Sequence, residues 1–194
     1  MRVIAGSNRG MVLVTPEGMD TRPTTDRIKE TLFNMIAFDL PDCYFLDLFS
    51  GSGQIGIEAL SRGAREAVFV EKDKNAISCI EKNIAKARLE DSSKVYKIDV
   101  SSALNQLNSH DPFDIIFMDP PYDKLIEKKV LEDLSNKAFV TEDTIIIVEA
   151  SLETSFDYIQ DLGYEITKEK LYKTNKHIFL KKAQNETSNL SWKL

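Results

Sequence analysis

The sequence predicts an α/β protein: a mostly parallel, seven-stranded Rossmann-like sheet with helices on both faces and an N-terminal β-hairpin extension. Three observations predict it. From Tyr44 onward, short β-prone runs alternate with runs at helical spacing. The β-prone runs between Tyr44 and Val148 are mostly apolar, as strands covered on both faces must be. The first of them leads into Asp47-Leu48-Phe49-Ser50-Gly51-Ser52-Gly53-Gln54-Ile55-Gly56, a glycine-rich passage from strand to helix.

In order, Arg2–Ala5 and Met11–Val14 are β-prone runs around Gly6-Ser7-Asn8-Arg9-Gly10, which reads as a hairpin with an open basic loop. Pro16, Gly18 and Pro23 mark irregular chain. Thr24 or Thr25 caps a helix with Asp26 in its first turn, continuing through Ile28, Leu32, Met35 and Ile36 to about Phe38. Strands are then expected at Tyr44–Leu48, Ala67–Val70, Val95–Ile98, Phe113–Met118 and Thr144–Val148. Helices are expected after them at Ile55–Ser61, Asn75–Arg88, Ser102–Leu107, Leu125–Leu134 and Phe156–Leu162. Tyr164–Tyr172 and Lys176–Lys181 close the sheet as an antiparallel edge hairpin. The expected organisation is a single domain over 1–182, with a basic arm at 1–23 and a core at 24–182. A polar tail covers 183–194.

Composition narrows the setting. At 194 residues, 42% hydrophobic and 29% charged, the chain suits one globular domain rather than a membrane or low-complexity protein. No apolar run reaches the ~20 residues of a membrane span. Cys43 and Cys79 lack metal-ligand spacing, so a cytoplasmic protein with reduced thiols and no metal is expected. His110 and His177 read as surface residues. The net charge of −6 is unevenly placed. Residues 1–29 carry five basic side chains against three acids, and 168–182 carry six lysines against one. Such asymmetry suits an anionic partner, although a solvated surface is the plainer reading.

Acids at successive strand ends give the glycine loop its meaning. Gly51-x-Gly53-x-x-Gly56 alone fits a dinucleotide site or a plain tight turn. Asp47, just before the loop, is placed to accept from a cationic ligand. Glu71 ends the next strand, where an acid accepts ribose hydroxyls. Asp99 ends the third and is placed for an adenine amino group, with the Val100 amide donating to the ring. Asp73 reads as a helix cap. A ligand with ribose, adenine and a cationic tail fits this set, and S-adenosylmethionine is one. The cofactor site is therefore expected to comprise Asp47, Phe49, Gly51, Ser52, Gly53, Gly56, Glu71, Lys72, Asp99 and Val100.

Asp119-Pro120-Pro121-Tyr122 follows the Phe113–Met118 run. An exocyclic amine on a nucleobase is a weak nucleophile, because its lone pair is delocalised into the ring. Acceptors from the Asp119 carboxylate and the Pro120 carbonyl turn that lone pair outward. Prolines fix the carbonyl's direction, and Tyr122 offers a face for the base. Methyl transfer then needs proximity and orientation rather than a covalent intermediate. The plain alternative is a rigid turn.

At these residues the sequence resembles the class I S-adenosylmethionine-dependent methyltransferases. More narrowly it resembles the RsmD family, which methylates guanine N2 in bacterial small-subunit ribosomal RNA. The resemblance spans about 1–182. It rests also on Arg2-Val3-Ile4-Ala5-Gly6, Arg9-Gly10 and Thr21-Arg22-Pro23-Thr24-Thr25-Asp26-Arg27. It implies that Gly51, Gly53, Glu71 and Asp99 bind the cofactor. It implies that Asp119, Pro120 and Tyr122, with Pro121, hold the guanine. It also implies that the arm grips RNA, through Arg2, Arg9, Arg22, Thr24 and Arg27, on ribosomal RNA or a small-subunit particle. Ser7-Asn8 lacks the basic or aromatic residue frequent in the family, and Lys173-Thr174 lacks a glycine. The alternatives are an adenine-N6 or other amino methyltransferase on DNA or RNA, a nicotinamide-dependent oxidoreductase, and an inactive RNA-binding module.

Overall fold

The computed structural model describes residues 1–16, 26–121 and 125–183. Its sheet has seven strands: β1 (Tyr44–Leu48), β2 (Glu66–Val70), β3 (Ser93–Tyr96), β4 (Ile115–Met118), β5 (Ile145–Ser151), β6 (Tyr164–Leu171) and β7 (Asn175–Lys182). Their spatial order is β3-β2-β1-β4-β5-β7-β6. β1 to β5 are mutually parallel, and β7 runs antiparallel to both β5 and β6. The helices are α1 (Asp26–Met35), α2 (Gln54–Ser61), α3 (Lys74–Ala87), α4 (Val100–Gln106) and α5 (Ile126–Ser135).

Strand alternation divides the core into two faces. Leu46, Leu48, Ile116, Met118, Ile146 and Val148 pack with α4 and α5. Phe45, Phe117, Ile147 and Phe179 pack with α1, α2, α3 and the N-terminal arm. Asp47 stands on that second face between aromatic neighbours and is 1% exposed.

The order of strands positions the site. From β1 the chain crosses to β2 on one side, and from β4 it crosses to β5 on the other. The carboxyl ends of β1 and β4 therefore flank a topological switch point, where open α/β sheets leave a crevice for ligands.

Three expectations change. The Phe156–Leu162 stretch is turns with a short 3₁₀ helix at Gln160–Leu162, because Phe156 and Ile159 bury one turn's worth of apolar surface and Gly163 then turns left-handed. The arm pairs through one bridge, Arg2–Val12, supported by Val3 N to Met11 O and Gly10 N to Val3 O, rather than through two strands. His177 is fully buried on β7, and His110 stacks 4.3 Å from Phe113 while bonding Glu66, so neither is a free surface residue.

The arm is fastened instead by side chains of α2 and α3. Glu58, 0% exposed, accepts from the amides of Ile4 and Ala5 and pairs with Lys29 and Arg62. Burial pushes the Lys29 ammonium's pKa down, and Glu58 pulls it back up. Lys29, counted in the basic end of the sequence, is thus an internal ion-pair partner. Gly6 is required here: a Cβ would lie 1.7 Å from the Ser61 carbonyl oxygen, and its φ is +84°. Asn83 bonds both backbone groups of Val14 and donates to the Ser52 carbonyl, joining arm and glycine loop.

Candidate active site

The glycine loop is shaped by three left-handed residues, Phe49, Gly51 and Gly53. Ser50 closes it against β2: its amide donates to the Val70 carbonyl, and its hydroxyl accepts from the Val70 amide. Gly56 lies where α2 crosses β2; a Cβ there would meet Phe69 at 2.4 Å. The third glycine of the motif thus serves close helix–strand packing.

Glu71 links the loop to the next strand end. One carboxylate oxygen accepts from the Gly51 amide at 2.9 Å, the other from the amides of Lys72 and Asp73. Backbone donors therefore aim this acid before any ligand arrives. Asp73 caps α3 through the amides of Asn75 and Ala76, as expected. Asp99 caps α4, accepting from the Ser102 amide at 3.0 Å and hydroxyl at 2.7 Å, and these bonds hold its pKa below the usual carboxylate range.

A cavity of about 230 Å³ opens between these strand ends, lined by Phe49, Glu71, Lys72, Ile98, Asp99 and Val100 among others. It brings together five of the expected cofactor residues. Asp47, Gly51, Ser52, Gly53 and Gly56 do not line it: they build the loop behind it. The Ser52 hydroxyl points toward the Met1 sulfur at 3.8 Å.

Asp47 accepts from the Gly56 amide at 3.0 Å. Burial pushes its pKa from the usual 3.8 up to about 7, only partly opposed by that bond. An acid whose folded-state pKa is raised contributes stability below its unfolded value. It loses that contribution as pH rises through about 7. The melting temperature of Asp47→Asn should therefore gain on wild type between pH 4 and pH 8, by the equivalent of up to about 4 kcal/mol. A difference between the two melting curves that does not move with pH would refute this.

Asp119 leaves the carboxyl end of β4 half-buried, followed by a buried Pro120 and an exposed Pro121. The β4–β5 register ends at Met118 with Val148, so the next step sets Asp119 beside Glu149. Burial raises the Asp119 carboxyl well above its ordinary range; Glu149 and Asp47 raise it further. Tyr122, Arg22 and Thr24 lie outside the described residues. Arg9 is exposed at the arm's loop and Arg27 on α1, while Arg2 pairs with Asp26 at 2.9 Å.

A buried polar group escaped the sequence reading. Glu149 accepts from the Asn175 side-chain amide and bonds His177 Nε2 at 3.1 Å, and His177 Nδ1 bonds the Tyr172 hydroxyl at 3.1 Å. An acid closing the apolar run Ile145–Val148 was the available signal, the same one that marks Glu71.

The chain shares this architecture with known proteins. The family described as conserved hypothetical protein 95 matches residues 1–181. The ribosomal RNA small subunit methyltransferase D of Escherichia coli K12 is 35% identical over 153 residues, 79% of this chain and 76% of that protein. The chain belongs to the RsmD family. A second relative, "Putative rRNA methyltransferase YlbH" of Bacillus subtilis, is 40% identical over 79% of this chain and 84% of its own length. The solved "Putative methyltransferase yhhF" of Escherichia coli superposes with a TM-score of 0.83 at 31% identity, over 94% of this chain and 98% of that one. This RsmD family member thus has the Rossmann-like class I methyltransferase fold.

Proposed function

We propose that this chain transfers a methyl group from S-adenosylmethionine to the exocyclic N2 amine of a guanine in small-subunit ribosomal RNA. The observation that carries this reading is the placement of Asp119-Pro120 at the carboxyl end of β4, across the switch point from the glycine loop after β1. The relatives named for ribosomal RNA methylation favour RNA over DNA as substrate.

The residues present fit the cofactor. Its cavity is walled by Phe49, Ile98 and Val100, with the acids Glu71 and Asp99 among its lining residues. Glu71, pre-aimed by three amides, would hold ribose hydroxyls. Asp99 and the Val100 amide would hold the adenine edge, and Asp47 braces the loop from behind through the Gly56 amide. When bound, S-adenosylmethionine supplies a methyl group on a sulfonium centre. Asp119 and the Pro120 carbonyl accept from the amine and turn its lone pair out of the ring plane. Because the Asp119 carboxyl is raised, the acceptor form is gained as pH rises, so transfer should strengthen from mildly acid pH toward neutrality and above.

Equilibrium binding of S-adenosylmethionine and NAD to the purified protein tests the cofactor. S-adenosylmethionine should bind more tightly; tighter NAD binding would sink the proposal in favour of the oxidoreductase. The Arg9 side chain is exposed and makes no ion pair among the described residues, which leaves it available as a phosphate ligand. Arg9→Ala should weaken RNA binding and reduce the slope of log affinity against log salt by roughly 1. An unchanged slope by filter binding would remove Arg9 from the interface.

A further inference from the structure

Asp119 has a second carboxyl for a neighbour. On the face of the sheet that carries Phe45 and Phe117, one row reads Asp47, Phe117, Ile147 and Phe179 across β1, β4, β5 and β7. One pleat further toward the carboxyl ends, Glu149 pairs with His177, and continuing the β4–β5 register one step past Met118 and Val148 sets Asp119 beside Glu149. Glu149 is 4% exposed and His177 0%. A buried carboxyl beside a half-buried one at adjacent strand ends is costly unless something holds them. Here Glu149 is held by the Asn175 amide and by His177, which is itself braced by the Tyr172 hydroxyl and lies edge-on to Phe117 and Tyr172.

We propose that Glu149 is a positioning residue for Asp119: clamped by Asn175 and His177, it fixes a negative group beside that strand end and makes Asp119 a stronger proton acceptor. The inference rests on the proposed amine methylation. In that reaction a nitrogen–carbon bond forms as the sulfur–carbon bond breaks, and the nitrogen then carries a proton it must lose. The proton passes to the Asp119 carboxylate and from there to solvent. A carboxylate of ordinary basicity is a weak acceptor for this step; one raised by a fixed neighbouring charge is better matched to neutral pH. Among the described residues, the charged groups acting on Asp119 are Glu149 from β5 and Asp47 from β1, with His177 and Tyr172 from the β6–β7 hairpin standing behind Glu149. Asp47 is turned to the Gly56 amide of α2, whereas Glu149, held by Asn175 and His177, acts on Asp119 from the neighbouring strand.

The test is a carboxyl-carbon NMR titration of the protein without cofactor or RNA, with Asp119 identified by its loss in Asp119→Asn. Glu149→Gln should lower the Asp119 midpoint by about one pH unit, a roughly tenfold change in the ratio of ionised to protonated Asp119 at fixed pH. The acid limb of the pH–rate profile for methyl transfer should fall with it, while S-adenosylmethionine affinity stays within about twofold. A midpoint and acid limb that do not move would overturn the proposal. Should Glu149→Gln not fold, wild type alone decides. Interacting carboxyls titrate in more than one step, and a single independent step at Asp119 would overturn it. Failure to bind S-adenosylmethionine or to methylate RNA would instead strike the proposed function, leaving the titration result intact.

Discussion

Asp119→Ala should lower the rate of methyl transfer at least ~10²-fold while leaving S-adenosylmethionine affinity within about twofold. The separation follows from position. Asp119 stands at the end of β4 and is not part of the cavity wall formed by Phe49, Glu71, Asp99 and Val100. Its removal also relieves a half-buried carboxyl crowded by Glu149 and Asp47, so the fold should not suffer. The amine, in contrast, loses the acceptor that rehybridises its nitrogen and takes its proton. Single-turnover transfer and calorimetric cofactor binding on one preparation separate the two effects. Turnover near wild type would remove Asp119 from the chemistry. Lost cofactor affinity would mean that the residue serves the wrong ligand.

Glu58→Ala should cost about 3–5 kcal/mol of stability, because it strands a buried lysine. The Lys29 ammonium is 1% exposed and lies 3.2 Å from Glu58. The same carboxylate takes the Arg62 guanidinium at 2.8 Å and the amides of Ile4 and Ala5. One substitution thus removes four partners and frees the start of the arm from α2. In a domain of this size the loss corresponds to a melting temperature lower by about 10 °C. Denaturant unfolding measures it, with Arg2→Ala as the contrast. The Arg2–Asp26 pair is solvent-exposed and should be worth no more than about 1 kcal/mol. Equal effects from the two variants would show that Glu58 does not hold the arm.

How far the sequence could be read depended on whether the deciding contacts were local. β1 is predicted and found at Tyr44–Leu48, since an apolar run bounded by Cys43 and a glycine loop leaves little freedom. β3 is expected at Val95–Ile98 and found at Ser93–Tyr96, because its half-exposed residues give a weak burial signal and pairing with β2 sets the register. Phe156 and Ile159 have the spacing of a helix turn, but one turn does not make a helix. Glu71 and Asp119 were legible because each closes an apolar run, whereas Asp99 follows a half-polar run and caps α4 beyond the end of β3. Their mutual distances were not, because strand order β1-β4-β5-β7 appears only on folding. For the same reason Glu149 and His177 stayed separate in the sequence, although antiparallel pairing sets them opposite one another. Glu58 hid inside an apolar helix stretch, with its lysine partner twenty-nine positions away.

The most direct measurement incubates the protein with methyl-labelled S-adenosylmethionine and ribosomal RNA, or small-subunit particles, from cells lacking the enzyme. Nuclease digestion then identifies the labelled base. The account predicts label on the N2 amine of a guanine in the small-subunit RNA. Label on an adenine amine, or none on either form of the RNA while the cofactor is bound, would contradict it.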